Sequence, residues 1–131
     1  MKTYTIRLVK GDDLKQSLLN FINNNDIKAA VVLSSVGSLT HINIRLAQAK
    51  DFLICKKDYE IISLNGTLGN NSCHLHISIS DNKGQVFGGH LNIGTIINTT
   101  CELVLLELND CSFIREYDPN TGYNELVINK N

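Results

Sequence analysis

The feature that most constrains the fold of this chain is a strict alternation of polar and apolar side chains near its middle. Residues alternate from His74 to Ser80, and the alternation resumes at Val86 after a short polar segment. A period of two is typical of a strand with one buried face. Because a three-residue hairpin loop commonly ends with glycine in the left-handed region, the loop is predicted at residues 82–84, with Gly84 last. The pattern therefore predicts an antiparallel hairpin.

The predicted loop determines the register of the hairpin and the positions of three histidines. In this register His76 lies opposite His90, and His74 lies opposite Asn92. Directly opposed residues have Cβ atoms about 5 Å apart and diagonal ones about 7 Å, so the three imidazoles are expected to converge. The other face of the hairpin is expected to carry the apolar residues Leu75, Ile77, Ile79, Phe87, Leu91 and Ile93.

Three converging imidazoles form a set of candidate metal ligands. His74, His76 and His90 with an open fourth position would match a catalytic zinc arrangement, although imidazole also suits copper, iron and nickel. In this interpretation zinc or another divalent metal is the cofactor, and Gly88 and Gly89 are expected to leave backbone room beside it. The alternative is that the histidines hydrogen-bond across the sheet or line a subunit contact. The protein would then be a non-catalytic scaffold or a small-ligand binder.

Composition limits the class of protein. A length of 131 residues with 43% apolar residues predicts one globular domain over residues 1–131. The net charge of −1, from 12 basic and 13 acidic residues, provides no general attraction to nucleic acid. No apolar run reaches the roughly 18 residues of a membrane span, and the N-terminus lacks the apolar core of a signal peptide. We therefore expect a cytoplasmic protein without a membrane partner.

The four cysteines form no Cys-x-x-Cys pair and are expected to be reduced. Cys73 adjoins His74, but neighbours on a strand point to opposite faces, which disfavours a catalytic cysteine–histidine pair. The four positions are Cys55, Cys73, Cys101 and Cys111.

The remaining patterns predict an α+β fold. Asp12 and Asp13 are expected to begin a helix with a buried stripe of Leu14, Leu18, Phe21 and Ile22, which the polar run 23–26 ends. Strands are predicted at 3–9, 27–36 (ending at Gly37), 41–47, 59–67 and 101–108, with an irregular connection at 48–57 and a turn at 118–122. This is a largely antiparallel sheet of six to eight strands with one N-terminal helix packed on it.

Three charged residues interrupt otherwise apolar strands, namely Arg45, Glu60 and Glu102. Charges are rarely buried unless they are paired, so an ion pair across the sheet or at a subunit contact is one interpretation. A role in substrate or anion binding is the other. Many strands also leave open sheet edges, which a closed cyclic oligomer would cover.

Several segments together resemble the PPC (plant and prokaryote conserved) domain family, in its stand-alone prokaryotic type. The resemblance covers nearly the whole chain and implies a homotrimer of α+β subunits. It also implies DNA binding, a property that belongs mainly to plant members with AT-hook motifs. No Arg-Gly-Arg-Pro segment occurs here. The segments include Val36-Gly37-Ser38-Leu39, Tyr59-Glu60-Ile61-Ile62, His74-Leu75-His76, Gly88-Gly89-His90-Leu91 and Arg115-Glu116-Tyr117-Asp118-Pro119.

The PPC fold is itself similar to that of acetolactate decarboxylase and related zinc proteins. Those enzymes hold zinc with a His-x-His pair and a later histidine, which correspond here to His74, His76 and His90. The preferred hypothesis is a homotrimeric DNA-associated or regulatory module. The alternatives are a small zinc hydrolase or lyase and a non-catalytic trimeric scaffold or small-ligand binder. The preferred hypothesis would require a trimer to gather scattered lysines into a basic patch. Whether the chain is an enzyme stays open at this stage.

Overall fold

The structure, a computed structural model, describes residues 1–131 and contains eight strands, one α-helix and one 3₁₀ turn. In chain order these are β1 (Lys2–Val9), α1 (Leu14–Asn24), β2 (Ala30–Arg45), the 3₁₀ turn (Ala47–Ala49), β3 (Phe52–Gly69), β4 (Ser72–Ser80), β5 (Val86–Leu91), β6 (Ile96–Glu107), β7 (Cys111–Asp118) and β8 (Tyr123–Lys130). All strand pairings are antiparallel. The predicted α+β fold with one N-terminal helix is therefore confirmed.

Six strands form the main sheet in the order β1-β6-β2-β3-β4-β5, and β7 pairs with β8 in a separate two-stranded sheet. Strand β2 also pairs with β5, through Ile44 opposite Leu91 and Arg45 opposite His90. The strands from β2 to β5 therefore close on themselves at one end. This closure brings a residue of β2 next to one of the predicted metal ligands.

The helix begins where the sequence predicted. The Asp13 carboxylate caps α1 by accepting a hydrogen bond of 3.0 Å from the backbone N–H of Gln16. Leu14, Leu18 and Ile22 are fully buried in the main core. Helical spacing thus packs one face of α1 on the sheet. No helix in the structure has the length and apolar character needed to cross a membrane.

Two predicted strand boundaries are wrong. Strand β2 does not end at Gly37 but continues to Arg45. A Cβ at Gly37 would lie 2.2 Å from the carbonyl oxygen of Thr100, so this glycine allows β6 to approach closely and does not end the strand. The predicted irregular connection at 48–57 is also too long, because β3 already begins at Phe52 and pairs with the second half of β2.

The four cysteines are free, as predicted. Cys101 is fully buried, and this burial raises the pKa of its thiol to about 11. Burial also raises the pKa of the Cys73 thiol. Both groups are protonated at neutral pH, and neither thiol supplies a ready nucleophile.

Candidate metal centre

The β4–β5 hairpin has the predicted loop and register. His76 lies opposite His90. Gly84 adopts a φ of +78° at the end of the loop, a conformation that glycine tolerates best. The Asp81 carboxylate holds the loop by accepting 2.9 Å hydrogen bonds from the backbone N–H groups of Lys83 and Gln85. A local set of turn contacts therefore determines where the histidines lie.

The register prediction fails beyond Leu91. His74 is not opposite Asn92, because β5 ends at Leu91 and the chain crosses to β2, where the Asn92 N–H donates to the Asn43 carbonyl at 3.0 Å. Ile93 consequently leaves the apolar face and is 46% exposed. The other predicted residues of that face are buried or half-buried, namely Leu75, Ile77, Ile79, Phe87 and Leu91.

The three histidines nevertheless converge. Ring centroids are 5.1 Å apart for His74 and His76, 5.3 Å for His74 and His90, and 5.7 Å for His76 and His90. One nitrogen of each ring lies within 4.8 Å of the corresponding nitrogens of the other two. Nitrogens bound to one tetrahedral zinc lie about 3.4 Å apart, so modest imidazole rotations bridge the difference. The chain therefore presents a three-nitrogen donor set on one face.

The electrostatic environment keeps two of these rings neutral. Partial burial and, next in size, the positive charge of the Arg45 guanidinium lower the pKa of His90 to about 4. Partial burial, His76 and Arg115 likewise lower the pKa of His74. Metal ligation requires deprotonated imidazole nitrogens. At neutral pH both rings are thus in the form that binds a metal.

An unsatisfied nitrogen distinguishes the cluster from a hydrogen-bonded one. Nδ1 of His90 is buried and has no hydrogen-bond partner. Nδ1 of His41, the fourth histidine, is in the same state, but His41 belongs to no group of potential ligands. Buried polar atoms are usually hydrogen-bonded. His90 thus makes no cross-sheet hydrogen bond through Nδ1, and its convergence with His74 and His76 is what separates it from His41.

The two adjacent glycines of β5 allow close strand approach beside this cluster. A Cβ at Gly88 would lie 2.0 Å from the carbonyl oxygen of Ile77, and one at Gly89 would lie 2.5 Å from that of Arg45. Both glycines also line a cavity with His76 and His90. The space of the missing side chains is therefore taken up by the backbone of β4 and β2, and the two glycines face the histidines only across this cavity.

The charged residues predicted inside apolar strands separate into two groups. Arg45 lies opposite His90 and lines a cavity together with His74 and His90. Glu60 and Glu102 are exposed and do not reach the cluster. Neither carboxylate forms an ion pair with Arg45 within the chain, whose ion pairs are Lys28–Asp26 and Lys130–Asp110. Period-two alternation places Glu60 and Glu102 on the outward face, where water solvates them.

Sequence analysis missed one wall of the site, which the β7–β8 hairpin supplies. Arg115, Tyr123 and Glu125 line the cavity of about 320 Å³ beside His74 and His90. Nη2 of Arg115 donates a 3.1 Å hydrogen bond to Oγ1 of Thr67 on β3. The two residues are 48 positions apart, and no local pattern links them. Only the docking of the hairpin brings them together.

Comparison with known proteins adds relatives of the whole chain. The chain is 43% identical over 131 residues to the bifunctional protein GlmU of Synechococcus sp. (strain JA-3-3Ab). This alignment covers 99% of this chain and 21% of that protein. A second Synechococcus strain has a GlmU that is 43% identical over 129 residues. The chain thus spans about a fifth of the length of these curated relatives.

Solved structures share the fold. A hypothetical protein from Salmonella enterica superposes with a TM-score of 0.95 at 36% identity, covering 98% of this chain and 94% of the other. A proposed DNA-binding protein from Bacteroides thetaiotaomicron superposes with a TM-score of 0.85 at 22% identity. The match covers 95% of this chain and 91% of the other. The metal-containing protein AF0104 from Archaeoglobus fulgidus superposes with a TM-score of 0.79 at 27% identity. The match covers 97% of this chain and 94% of the other.

A family match covers most of the chain. Residues 1–109 match the Plants and Prokaryotes Conserved (PCC) domain, the family that the histidine and glycine motifs resemble. The match includes β1 to β6 and all three histidines, and it stops before the β7–β8 hairpin. By this match, the chain belongs to the Plants and Prokaryotes Conserved domain family.

Proposed function

We propose that this chain is a metal-binding protein that holds one divalent transition metal, with zinc as the first choice, through His74, His76 and His90. The observation that carries the proposal is the convergence of the three imidazoles, each with one nitrogen within 4.8 Å of a nitrogen of the other two. The related Archaeoglobus protein is described as metal-containing, which supports the proposal.

The donor set also suggests what kind of centre this would be. Three imidazoles leave a fourth position open, as in catalytic zinc sites, whereas structural zinc sites are closed by four protein ligands. The neighbouring Cys73 does not belong to the converging donor group, because adjacent residues of a strand point to opposite faces. When bound, a metal of this type polarises a carbonyl group or activates water. The chain would contribute the ligands and a polar cavity that admits a small molecule.

Metal analysis of protein purified without a histidine tag tests this proposal. We expect about one zinc per chain after exposure to excess zinc and dialysis, measured by mass spectrometry of the metal. His90→Gln and His76→Gln should each lose most of it. His41→Gln is the matched control, since His41 also has a buried, unpartnered Nδ1 but no neighbouring ligand. No uptake by the wild-type chain, or equal loss in the His41 variant, would overturn the proposal.

We further infer that the chain assembles as the homotrimer implied by its family. The outward face of the sheet carries exposed apolar side chains, including Val36 on β2 at 55% exposure and Ile62 on β3 at 53%. Exposed apolar patches of this kind commonly mark protein contacts. Light scattering coupled to size exclusion should give three times the mass of one chain, and Ile62→Glu should reduce it. A monomeric wild-type chain would contradict the trimer.

DNA-associated regulation is a second candidate function, favoured by the description of the Bacteroides protein. The net charge of −1 opposes it, so a trimer would have to concentrate surface lysines on one face. A gel-shift titration at low salt tests this candidate directly. Binding that weakens steeply with salt would support it, and no binding at low salt would remove it.

A further inference from the structure

We propose that the cavity beside the histidines binds a small anion, a carboxylate or a phosphate, between Arg45 and Arg115. This inference rests on the proposed metal function, because the anion would lie next to the metal and could place an oxygen in its open position. The cavity measures about 320 Å³, at the lower end of the range for small-molecule sites.

Arg45 reaches the cavity from the main sheet. The pairing of β2 with β5 sets it opposite His90, and its guanidinium carbon lies 6.0 Å from the centre of the Tyr123 ring. The residue is half-buried, and it has no carboxylate partner within 4.0 Å. A partly desolvated guanidinium without a counterion is unfavourable, so an anionic ligand would satisfy it.

Arg115 reaches the cavity from the other side. It lies on β7, is half-buried and donates to the neutral hydroxyl of Thr67, which pairs with His74 across β3 and β4. It too lacks a carboxylate partner within 4.0 Å. A guanidinium has five N–H donors, and one bond to Thr67 leaves the planar fork available. Carboxylate and phosphate oxygens match that fork in two-point contact.

The balance of charge around the cavity favours an anion. Lys15 adds a third cation near His90, where its ammonium donates a long bond of 3.4 Å to the Leu91 carbonyl. Glu125 is the single carboxylate in the wall. It opposes the cations without forming an ion pair with either arginine. A bound divalent metal would increase the positive excess, so electrostatics attracts negatively charged ligands to this site.

The two arginines come from different parts of the chain. Arg45 lies within the part that matches the family, and Arg115 lies beyond residue 109, where the match ends. Half of the proposed anion site therefore comes from the hairpin. This makes the β7–β8 hairpin the element that would determine which anion fits.

Titration calorimetry with two probes tests the proposal. Malonate and inorganic phosphate are titrated into the zinc-loaded protein and into the metal-free protein. We expect Arg45→Gln and Arg115→Gln each to weaken binding by about tenfold or more, the loss of a charge-assisted contact, with zinc content unchanged. Arg7→Gln is the matched control, since Arg7 is an exposed arginine on β1 that lines none of the cavities described here. It should change affinity by less than about twofold.

The outcomes separate the two proposals. If zinc binds but neither probe binds, or if the three arginine variants behave alike, the anion site is wrong and the metal site stands. If zinc does not bind, the metal-free titration decides: Arg115-dependent binding retains the anion site, and its absence removes it. Arg115→Lys, which keeps the charge and loses the fork, replaces Arg115→Gln if the latter fails to fold. The ratio of the two probe affinities identifies the preferred anion.

Discussion

Two hairpins meet at the candidate site and contribute in different ways. The β4–β5 hairpin belongs to the main sheet, buries one face and carries the three histidines. The β7–β8 hairpin forms its own two-stranded sheet and supplies Arg115, Tyr123 and Glu125 from outside. The first is held by pairing on both sides of β4, whereas the second is held mainly by docking. The comparison teaches that ligand geometry and cavity chemistry have separate structural origins.

The largest expected effect comes from disturbing the packed hairpin. Gly88→Ala places a Cβ 2.0 Å from the Ile77 carbonyl oxygen, so β4 and β5 must separate. We expect a loss of about 3 kcal/mol in unfolding free energy and loss of zinc binding. Urea unfolding and zinc stoichiometry measure the two effects.

The matched change in the other hairpin is Gly122→Ala. Gly122 has a φ of +80° with open space around its Cβ position, so the expected cost is about 1 kcal/mol of backbone strain. Zinc binding should persist. If both variants lose zinc equally, the separation between the two hairpins does not hold.

The next effect concerns the docking of β7–β8. Phe113 is 7% exposed and packs with Ala29 and Cys111 in a small second core. Phe113→Ala should lower the unfolding free energy by about 3 kcal/mol and weaken the packing that holds Arg115 at the side of the cavity. We expect weaker malonate binding with zinc stoichiometry preserved, measured by calorimetry and metal analysis. Loss of zinc in a variant that remains folded would show that the second hairpin also supports the ligands.

A smaller effect follows from the lowered pKa of His90. The metal-free folded chain resists protonating this ring down to about pH 4, whereas an unfolded histidine has a pKa near 6.5. Protons therefore favour the unfolded state, and the stability contributed by neutral His90 is present above pH 6.5 and lost as the pH falls to about 4. Solvent screening limits this loss to about 1 kcal/mol. The melting temperature, measured from pH 6.5 to pH 4, should therefore fall less with decreasing pH for His90→Gln than for His41→Gln.

The smallest effect compares two residues of the β7–β8 hairpin that act on His74 in opposite directions. Glu125 raises the pKa of His74 and Arg115 lowers it. In the metal-free protein, Glu125→Gln should therefore lower this pKa and Arg115→Gln should raise it. Titration of the His74 ring protons by NMR measures both. Shifts of the same sign would contradict the proposed placement of the hairpin wall.

Sequence analysis predicted correctly those parts of the fold that neighbouring residues along the chain determine. Alternation and a terminal glycine correctly predicted the loop at 82–84 and the pairing of His76 with His90. The same reasoning wrongly ended β2 at Gly37. A glycine in a strand pattern predicts a strand end unless one knows that another strand, here β6, packs closely against it. The pairing of His74 with Asn92 failed because β5 leaves β4 for β2. Each error lies where a distant strand decides the outcome.

The sequence alone determined the convergence of the three histidines, because strand periodicity and a three-residue loop are short-range effects that neighbouring residues control. Only the tertiary structure decided what surrounds them. Arg45 faces His90 because β2 closes on β5, and Arg115 reaches the cavity because the β7–β8 hairpin packs on β3. Such contacts depend on the packing of surfaces far apart in the chain, which no local spacing of residues encodes.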